Sequence, residues 1–166
     1  MRTYYTHIES PIGRLLLTAS GDALTGMYMN EHKNGAGIGA DWVDEKTAVL
    51  ALAADELAEY FAGTRESFTV PVSDDHGTAF QRAVWRELRQ IPYGETITYG
   101  ELARRVGDPG AARAVGAANG RNPVSIIVPC HRVIGASGKL TGFAGGEERK
   151  AFLLAHERHG AATLAL

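Results

Sequence analysis

Short apolar runs broken by turn residues occupy the first thirty positions. Arg2 to Glu9, rich in Tyr and Thr, reads as a strand, and Ser10-Pro11-Ile12-Gly13 turns the chain. Arg14 to Ala19 and Leu24 to Met29 read as two more strands on either side of Gly21-Asp22, which predicts an antiparallel meander. Asn30 to Ala40 holds Gly35, Gly37 and Gly39 and little that packs, so it reads as a loop. It lacks the following Lys-Ser/Thr of a phosphate-binding loop. Leu50, Ala54, Leu57, Ala58 and Phe61 then recur at helical spacing, which predicts a helix capped by Asp44, running to about Ala62 and stopped by Gly63. Phe68 to Val72 reads as a further short strand, and the polar stretch Ser73 to Gly77 as a boundary between two units.

Beyond that boundary the period is helical. Thr78 is placed to cap a helix with Phe80, Val84, Leu88 and Ile91 on one face, ended by Pro92-Tyr93-Gly94. Thr98 is placed to cap Tyr99 to Val106, with Glu101 completing a capping box. After the turn Gly107-Asp108-Pro109-Gly110, Ala111 to about Asn119 is a short third helix. The pair has the form of a helix-turn-helix, and equally that of an ordinary helical hairpin. The third helix carries almost no side-chain bulk except Arg113. Such a helix suits either close packing against other helices or insertion into a narrow groove of DNA. Arg132 to Leu140 reads as a hairpin around Ala136-Ser137-Gly138, and residues 141–146 as a loop. Glu147 to His156 is the last helix, with Phe152, Leu153 and Leu154 suited to burial and a frayed tail after Gly160.

Charge sharpens the division. Residues 1–77 carry five Lys and Arg against twelve Asp and Glu, a net −7, whereas residues 78–166 carry twelve against seven, a net +5. The basic half fits either a polyanionic partner, nucleic acid first, or a merely solvated face. No apolar run approaches a membrane span and no signal-like start is present, so the expected setting is cytoplasmic, without a membrane partner.

The single cysteine excludes an intramolecular disulfide. It stands in Ile126-Ile127-Val128-Pro129-Cys130-His131-Arg132-Val133. A cysteine alone fits a small buried hydrophobe as well as a nucleophile. A thiol reacts as its thiolate, and a neighbouring base or cation promotes that form; His131 and Arg132 offer both. His7, His32, His76, His156 and His159 read as surface residues, and no ligand set for a metal is evident.

From about Phe80 to Glu157 the sequence resembles the O6-alkylguanine-DNA alkyltransferases (methylated-DNA–protein-cysteine methyltransferases). The resemblance rests on Ile91-Pro92-Tyr93-Gly94 with Thr98-Tyr99, then Ala112-Arg113-Ala114-Val115-Gly116, Asn122-Pro123, Pro129-Cys130-His131-Arg132-Val133 and Leu153-Leu154-Ala155-His156-Glu157. It implies an α+β fold. An N-terminal antiparallel sheet with a helix would occupy residues 1–75, and a mostly helical domain with a winged helix-turn-helix residues 76–166. It implies DNA repair by direct, stoichiometric transfer of an alkyl group from O6 of guanine to Cys130, one turnover per molecule, with the base flipped out of the duplex.

In that family pattern His131 takes the thiol proton through a water, Glu157 orients His131, and Asn122 supports the turn around the cysteine. Tyr99 rotates the target phosphate and donates to the base, and Arg113 fills the space left in the stack. Ala112, Ala114, Gly116 and Asn119 complete the DNA-facing helix. Tyr99, Asn119, Val133, Phe143 and Ala144 line the pocket, with Phe143 and Ala144 where some members have tyrosine and serine. Arg132 ties the site together rather than touching the base. The implied partner is double-stranded DNA containing O6-alkylguanine, met by a monomer, with cooperativity on DNA left open. No cofactor is implied. Some relatives hold an N-terminal zinc, but this chain has no cysteine there to bind one.

Three other readings compete. An alkyltransferase-like lesion-binding protein would lack the cysteine. In a cysteine hydrolase Cys and His are normally distant in sequence. A helix-turn-helix transcription factor leaves Pro-Cys-His-Arg without a purpose.

Overall fold

A computed structural model of the protein describes residues 1–29, 38–140 and 146–164, the last five by backbone alone. Strands β1 (Thr3–Ile8), β2 (Leu15–Ser20) and β3 (Ala23–Met29) form the expected antiparallel meander. A two-residue strand, β4 (Val43–Asp44), joins β1 in parallel, giving the order β3-β2-β1-β4. Most of the glycine-containing loop expected at 30–40 lies outside the described residues.

Helix α1 (Ala48–Ala62) packs on this sheet. Asp44 is not its cap, because Asp44 is held in β4; Thr47 occupies the cap position, without a side-chain hydrogen bond. Gly63 ends the helix with φ +81°, and its N–H donates to the Tyr60 carbonyl while Thr64 N–H donates to Glu59, satisfying the last turn. The buried face comprises Val49, Leu50, Ala53, Ala54, Glu56, Leu57 and Tyr60. Ala58, expected inside, is exposed, and Phe61 is half-buried.

Phe68 to Val72 is not a strand. Only Val72 bridges to the sheet, at Leu24, because the buried Glu56 carboxylate takes the N–H groups of Thr69 and Val70 (2.9–3.1 Å) and the Thr69 hydroxyl (2.7 Å). Burial works to raise the Glu56 pKa, but these donors and the Arg65 charge outweigh it and hold the group ionised. Glu56→Ala leaves those donors without an acceptor. The expected loss is about 3 kcal/mol, read as a lower urea midpoint with an unchanged slope.

The second half contains α2 (Ala79–Leu88), β5 (Ile97–Thr98), α3 (Tyr99–Arg105), α4 (Ala112–Gly120), a one-turn 3-10 helix (Cys130–Arg132), β6 (Val133–Ile134) and α5 (Glu147–Leu164). Thr78 caps α2 in a full capping box with Gln81. Thr98 caps α3, but Glu101 does not complete a box, since its carboxylate turns to Arg104 and Arg105. Phe80 is exposed; the helix instead inserts Trp85, whose indole N–H donates to the Ala118 carbonyl of α4 at 2.8 Å. Arg132 to Leu140 is not a hairpin, because β6 pairs in parallel with β5, leaving a turn closed by Gly135 and Lys139. Helix α5 runs on to Leu164 where a frayed tail was expected, and Phe152 is exposed while Leu153 and Leu154 are buried.

One continuous core joins the halves. The outer edge of β3 is met by both Pro71–Ser73 and Pro123: Leu24 N–H donates to Pro71, Ser73 N–H to Leu24, and Met27 N–H to Pro123, at 2.8–2.9 Å.

Candidate active site

The segment leading to the cysteine is a tight turn. Val128 N–H donates to Val124 and Ile127 N–H to Ser125. The turn forces Ile126 to φ +71°, a region unfavourable for a β-branched residue. Burial of its side chain (1% exposed) offsets that strain. Asn122, itself buried, pins the turn from inside: its amide donates to the Val128 carbonyl at 2.8 Å and its oxygen accepts from Val124 N–H at 3.1 Å. Cys130 then opens the one-turn helix with 3% exposure. The β5–β6 pairing sets Thr98 opposite Ile134 and so brings Tyr99 alongside the cysteine segment.

Glu157 of α5 is the hub behind the cysteine. Its Oε2 accepts from His131 Nε2 (2.7 Å), the Tyr60 hydroxyl (2.7 Å) and Arg132 Nη2 (3.0 Å). Its Oε1 accepts from Arg132 Nε (2.8 Å) and, more distantly, Gly94 N–H (3.4 Å). Burial opposes the carboxylate charge, but the bonds and charges of His131 and Arg132 prevail and hold the pKa well below the ordinary range. His131 is fully buried, and burial lowers its pKa against the pull of Glu157, so it rests neutral. With Nε2–H given to Glu157, Nδ1 carries the lone pair; it is buried and meets no hydrogen-bonding partner among the described residues.

Arg132 does not activate the cysteine as its adjacency suggested. Its guanidinium is spent on Glu157 and on the Ile91 carbonyl, at 2.7 Å, which makes it a tie between α5, the α2 terminus and the one-turn helix. Burial pushes the Cys130 thiol up; hydrogen bonds from Asn122 and Ser125 and the charge of Lys150 work against it without cancelling it. The resting sulfur is therefore a protonated thiol. The cation whose charge acts on it is Lys150, buried on α5, which donates to the Val133 carbonyl and lies 5.8 Å from the centre of the Tyr99 ring. Burial lowers Lys150 to about 8, against the opposing pull of Glu147 and of any negative charge that forms on Cys130.

The structure brings Cys130, His131, Glu157, Asn122, Tyr99 and Val133 into one region. Asn119 is buried rather than surface-lying, and its amide donates to the Cys130 carbonyl at 3.2 Å, so it faces the cysteine and not the outer surface of α4. Arg113 and Ala114 are exposed, Ala112 and Gly116 half-exposed, while Val115 and Ala118 turn inward. A Cβ at Gly116 would lie 3.6 Å from the Tyr99 ring, an ordinary contact, so the tyrosine lies against α4 at this position. Phe143 and Ala144 lie outside the described residues, as does His32. His156 is not a free surface residue, since its Nε2 is bonded to the Tyr60 carbonyl at 2.7 Å.

Lys150, Tyr60 and Ser125 escaped the sequence reading. Lys150 sits among charged residues of an amphipathic first turn, and Tyr60 in an α1 face read one position out of phase. The only signal for either was its helical spacing from a buried neighbour: Lys150 to Leu153 and Leu154, Tyr60 to Leu57. Chemically, the assembly is a buried thiol, a neutral imidazole held by a carboxylate, and a nearby cation. That set can generate a thiolate on demand and use it once the site is filled.

Comparison with known families places residues 79–159 in the 6-O-methylguanine DNA methyltransferase DNA-binding domain and residues 3–73 in the ribonuclease-like domain of the same family. The methylated-DNA–protein-cysteine methyltransferase of Mycolicibacterium paratuberculosis is 50% identical over 163 residues, covering 98% of this chain and 97% of that one. That of Methanosarcina acetivorans is 50% identical over 151 residues, covering 91% and 96%. The crystal structure of Mycobacterium tuberculosis OGT in complex with DNA superposes with a TM-score of 0.87 at 50% identity, covering 95% and 94% of the two chains.

Proposed function

This chain belongs to the 6-O-methylguanine DNA methyltransferase family, a family of DNA-repair alkyltransferases, and on that premise we propose that Cys130 is the acceptor of the alkyl group. The protein repairs DNA by alkyl transfer to cysteine, and DNA is its partner. The observation that carries the assignment of Cys130 is the buried chain behind it, in which Glu157 fixes Nε2–H of His131 and leaves Nδ1 as the base.

The substrate is O6-alkylguanine in duplex DNA, flipped out of the stack because its O6 carbon is otherwise out of reach. Arg113, exposed at the start of α4, fills the space it leaves. Neutral His131 takes the thiol proton at Nδ1 through a water, and Lys150 steadies the thiolate. The sulfur attacks the alkyl carbon in line; the S–C bond forms, the C–O6 bond breaks, and the electron pair passes to the guanine. Tyr99 donates a proton or hydrogen bond to the ring as that charge develops. The thioether formed is a stable, uncharged sulfide with no good leaving group, so each molecule acts once. The units meet near residues 75 and 76, and the protein works as a cytoplasmic monomer.

The direct test is intact-protein mass after mixing with one equivalent of duplex carrying O6-methylguanine. One methylene unit gained on the Cys130 peptide, saturating at one per protein, is expected. Tight lesion binding with no mass change would instead make the chain a lesion-binding protein without transfer.

Two variants probe the parts. Lys150→Met removes the cation whose charge favours the thiolate and is expected to slow single-turnover transfer roughly tenfold at neutral pH, with the deficit shrinking at alkaline pH. Arg113→Ala is expected to slow transfer on duplex about tenfold while leaving the melting temperature unchanged. An unchanged rate on duplex would remove Arg113 from the flipping step.

A further inference from the structure

We propose that Tyr60 is a positioning residue for the transfer reaction, its hydroxyl fixing Glu157 and setting how strongly that carboxylate polarises His131. The proposal rests on the reading of Cys130, His131 and Glu157 as one chain. Tyr60 belongs to α1, which packs on the N-terminal sheet, whereas Glu157, His131 and Cys130 all belong to the second half of the sequence. The first half therefore contributes a hydrogen bond to the catalytic carboxylate.

The geometry is a two-point clamp. The Tyr60 hydroxyl donates to Glu157 Oε2 at 2.7 Å, and the Tyr60 carbonyl is bonded by Nε2 of His156, the residue before Glu157 on α5. The ring is fully buried, with Phe61, Phe68, Tyr93 and His156 around it at centroid distances of 5.1–6.2 Å. Burial, then the charge of Glu157 and its hydrogen bond, push the phenol far above its ordinary value, so it remains an O–H donor wherever the protein is folded.

The accepting oxygen is the one that holds His131. Each donor on a carboxylate oxygen withdraws electron density and weakens its pull on the others. With Tyr60 in place, Glu157 orients the imidazole and keeps the proton on Nε2 without drawing a full positive charge onto the ring. Without it, the same carboxylate favours the imidazolium more strongly, and a protonated His131 cannot take the thiol proton. The other groups facing this pair are Arg132 on the one-turn helix, Lys150 on α5, and Tyr93 after α2. Arg132 and Lys150 both oppose charge on His131, so loss of Tyr60 shifts the balance partway.

The experiment uses the full chain with Tyr60→Phe, which keeps the ring packing and the His156 bond and removes only the hydroxyl. Single-turnover methyl transfer from O6-methylguanine duplex is followed from acid to alkaline pH. The expected profile moves to higher pH, with the rate on its acid side falling about five- to tenfold and the alkaline plateau kept. On a Glu157→Gln background the same change is expected to leave the profile where it is. Superimposable profiles, an equal fall at every pH, or an equal shift on the Glu157→Gln background would each overturn the proposal.

If the Phe variant does not fold, the unaltered protein still decides. The Tyr60 hydroxyl proton is expected as a slowly exchanging NMR signal that moves when His131 titrates, and a signal that ignores the titration overturns the role. Cys130 alkylation is read by mass in the same reactions. Its absence in the unaltered protein would sink the Cys130 reading itself, whereas an unmoved profile with Cys130 alkylated sinks only the role of Tyr60.

Discussion

Cys130→Ser is expected to bind O6-methylguanine duplex as tightly as the parent and to transfer nothing. The substitution replaces a buried sulfur by a smaller oxygen in a turn held by Asn122, so the fold changes little. The chemistry changes completely. Burial already pushes the thiol up despite Asn122, Ser125 and Lys150. A hydroxyl starts far less acidic, and a neutral imidazole cannot ionise it for attack on an alkyl carbon. Intact mass gives the transfer result. A binding isotherm whose affinity falls with added salt, as released counterions require, shows that the DNA surface is intact. Transfer by the serine variant would place the acceptor elsewhere and overturn the mechanism.

The second large effect belongs to Glu157→Ala. Removal of the carboxylate leaves Arg132, 6% exposed, without its counter-charge, and leaves Tyr60 O–H and His131 Nε2–H without an acceptor. Breaking a buried pair on one side costs about 3–5 kcal/mol, a large part of the ~5–15 kcal/mol that holds a domain folded. A melting temperature lower by about 10–15 °C is expected for a chain of this size, with transfer lost in parallel as His131 loses its orientation.

The pH dependence of stability carries the same signature. Glu157 has a folded pKa held below its ordinary 4.5, so its contribution is complete above that pH and fades as acid protonates it in the folded state. Stability measured below about pH 4.5 should therefore fall less steeply in the variant than in the parent. Lys150 acts in the opposite range. Its folded value of about 8 lies below the ordinary 10.5, so the unfolded chain binds more protons between them and stability gains from this group as pH rises through that window.

The sequence reading carried far where local rules decide structure. The meander follows from turn residues at 10–13 and 21–22, and Thr78, Thr98 and Gly63 act as punctuation because capping is local. It failed where a distant partner decides. Phe68–Val72 has a strand's composition, yet Glu56, more than twelve positions earlier, takes its N–H groups. Asp44 has a cap's chemistry, yet β1 takes its backbone. The same division runs through the site. That Cys130, His131 and Glu157 come together was legible from motif and order, but the buried Lys150 was not. Adjacency nominated Arg132 as an activating cation, whereas the packing of α5 gives Arg132 to Glu157 and leaves the charge of Lys150 to act on the cysteine.

The seal on β3 has a consequence for solubility. Without Pro71–Ser73 and Pro123 the strand would end the sheet as an open row of amides and carbonyls, ready to accept a strand from another molecule. Pro123 closes that row with a carbonyl while offering no N–H of its own, so pairing cannot propagate past it. The segment that delivers the nucleophile is thus also the guard against self-association, and a lesion that loosens the cysteine turn exposes a sticky edge as well as disarming the protein.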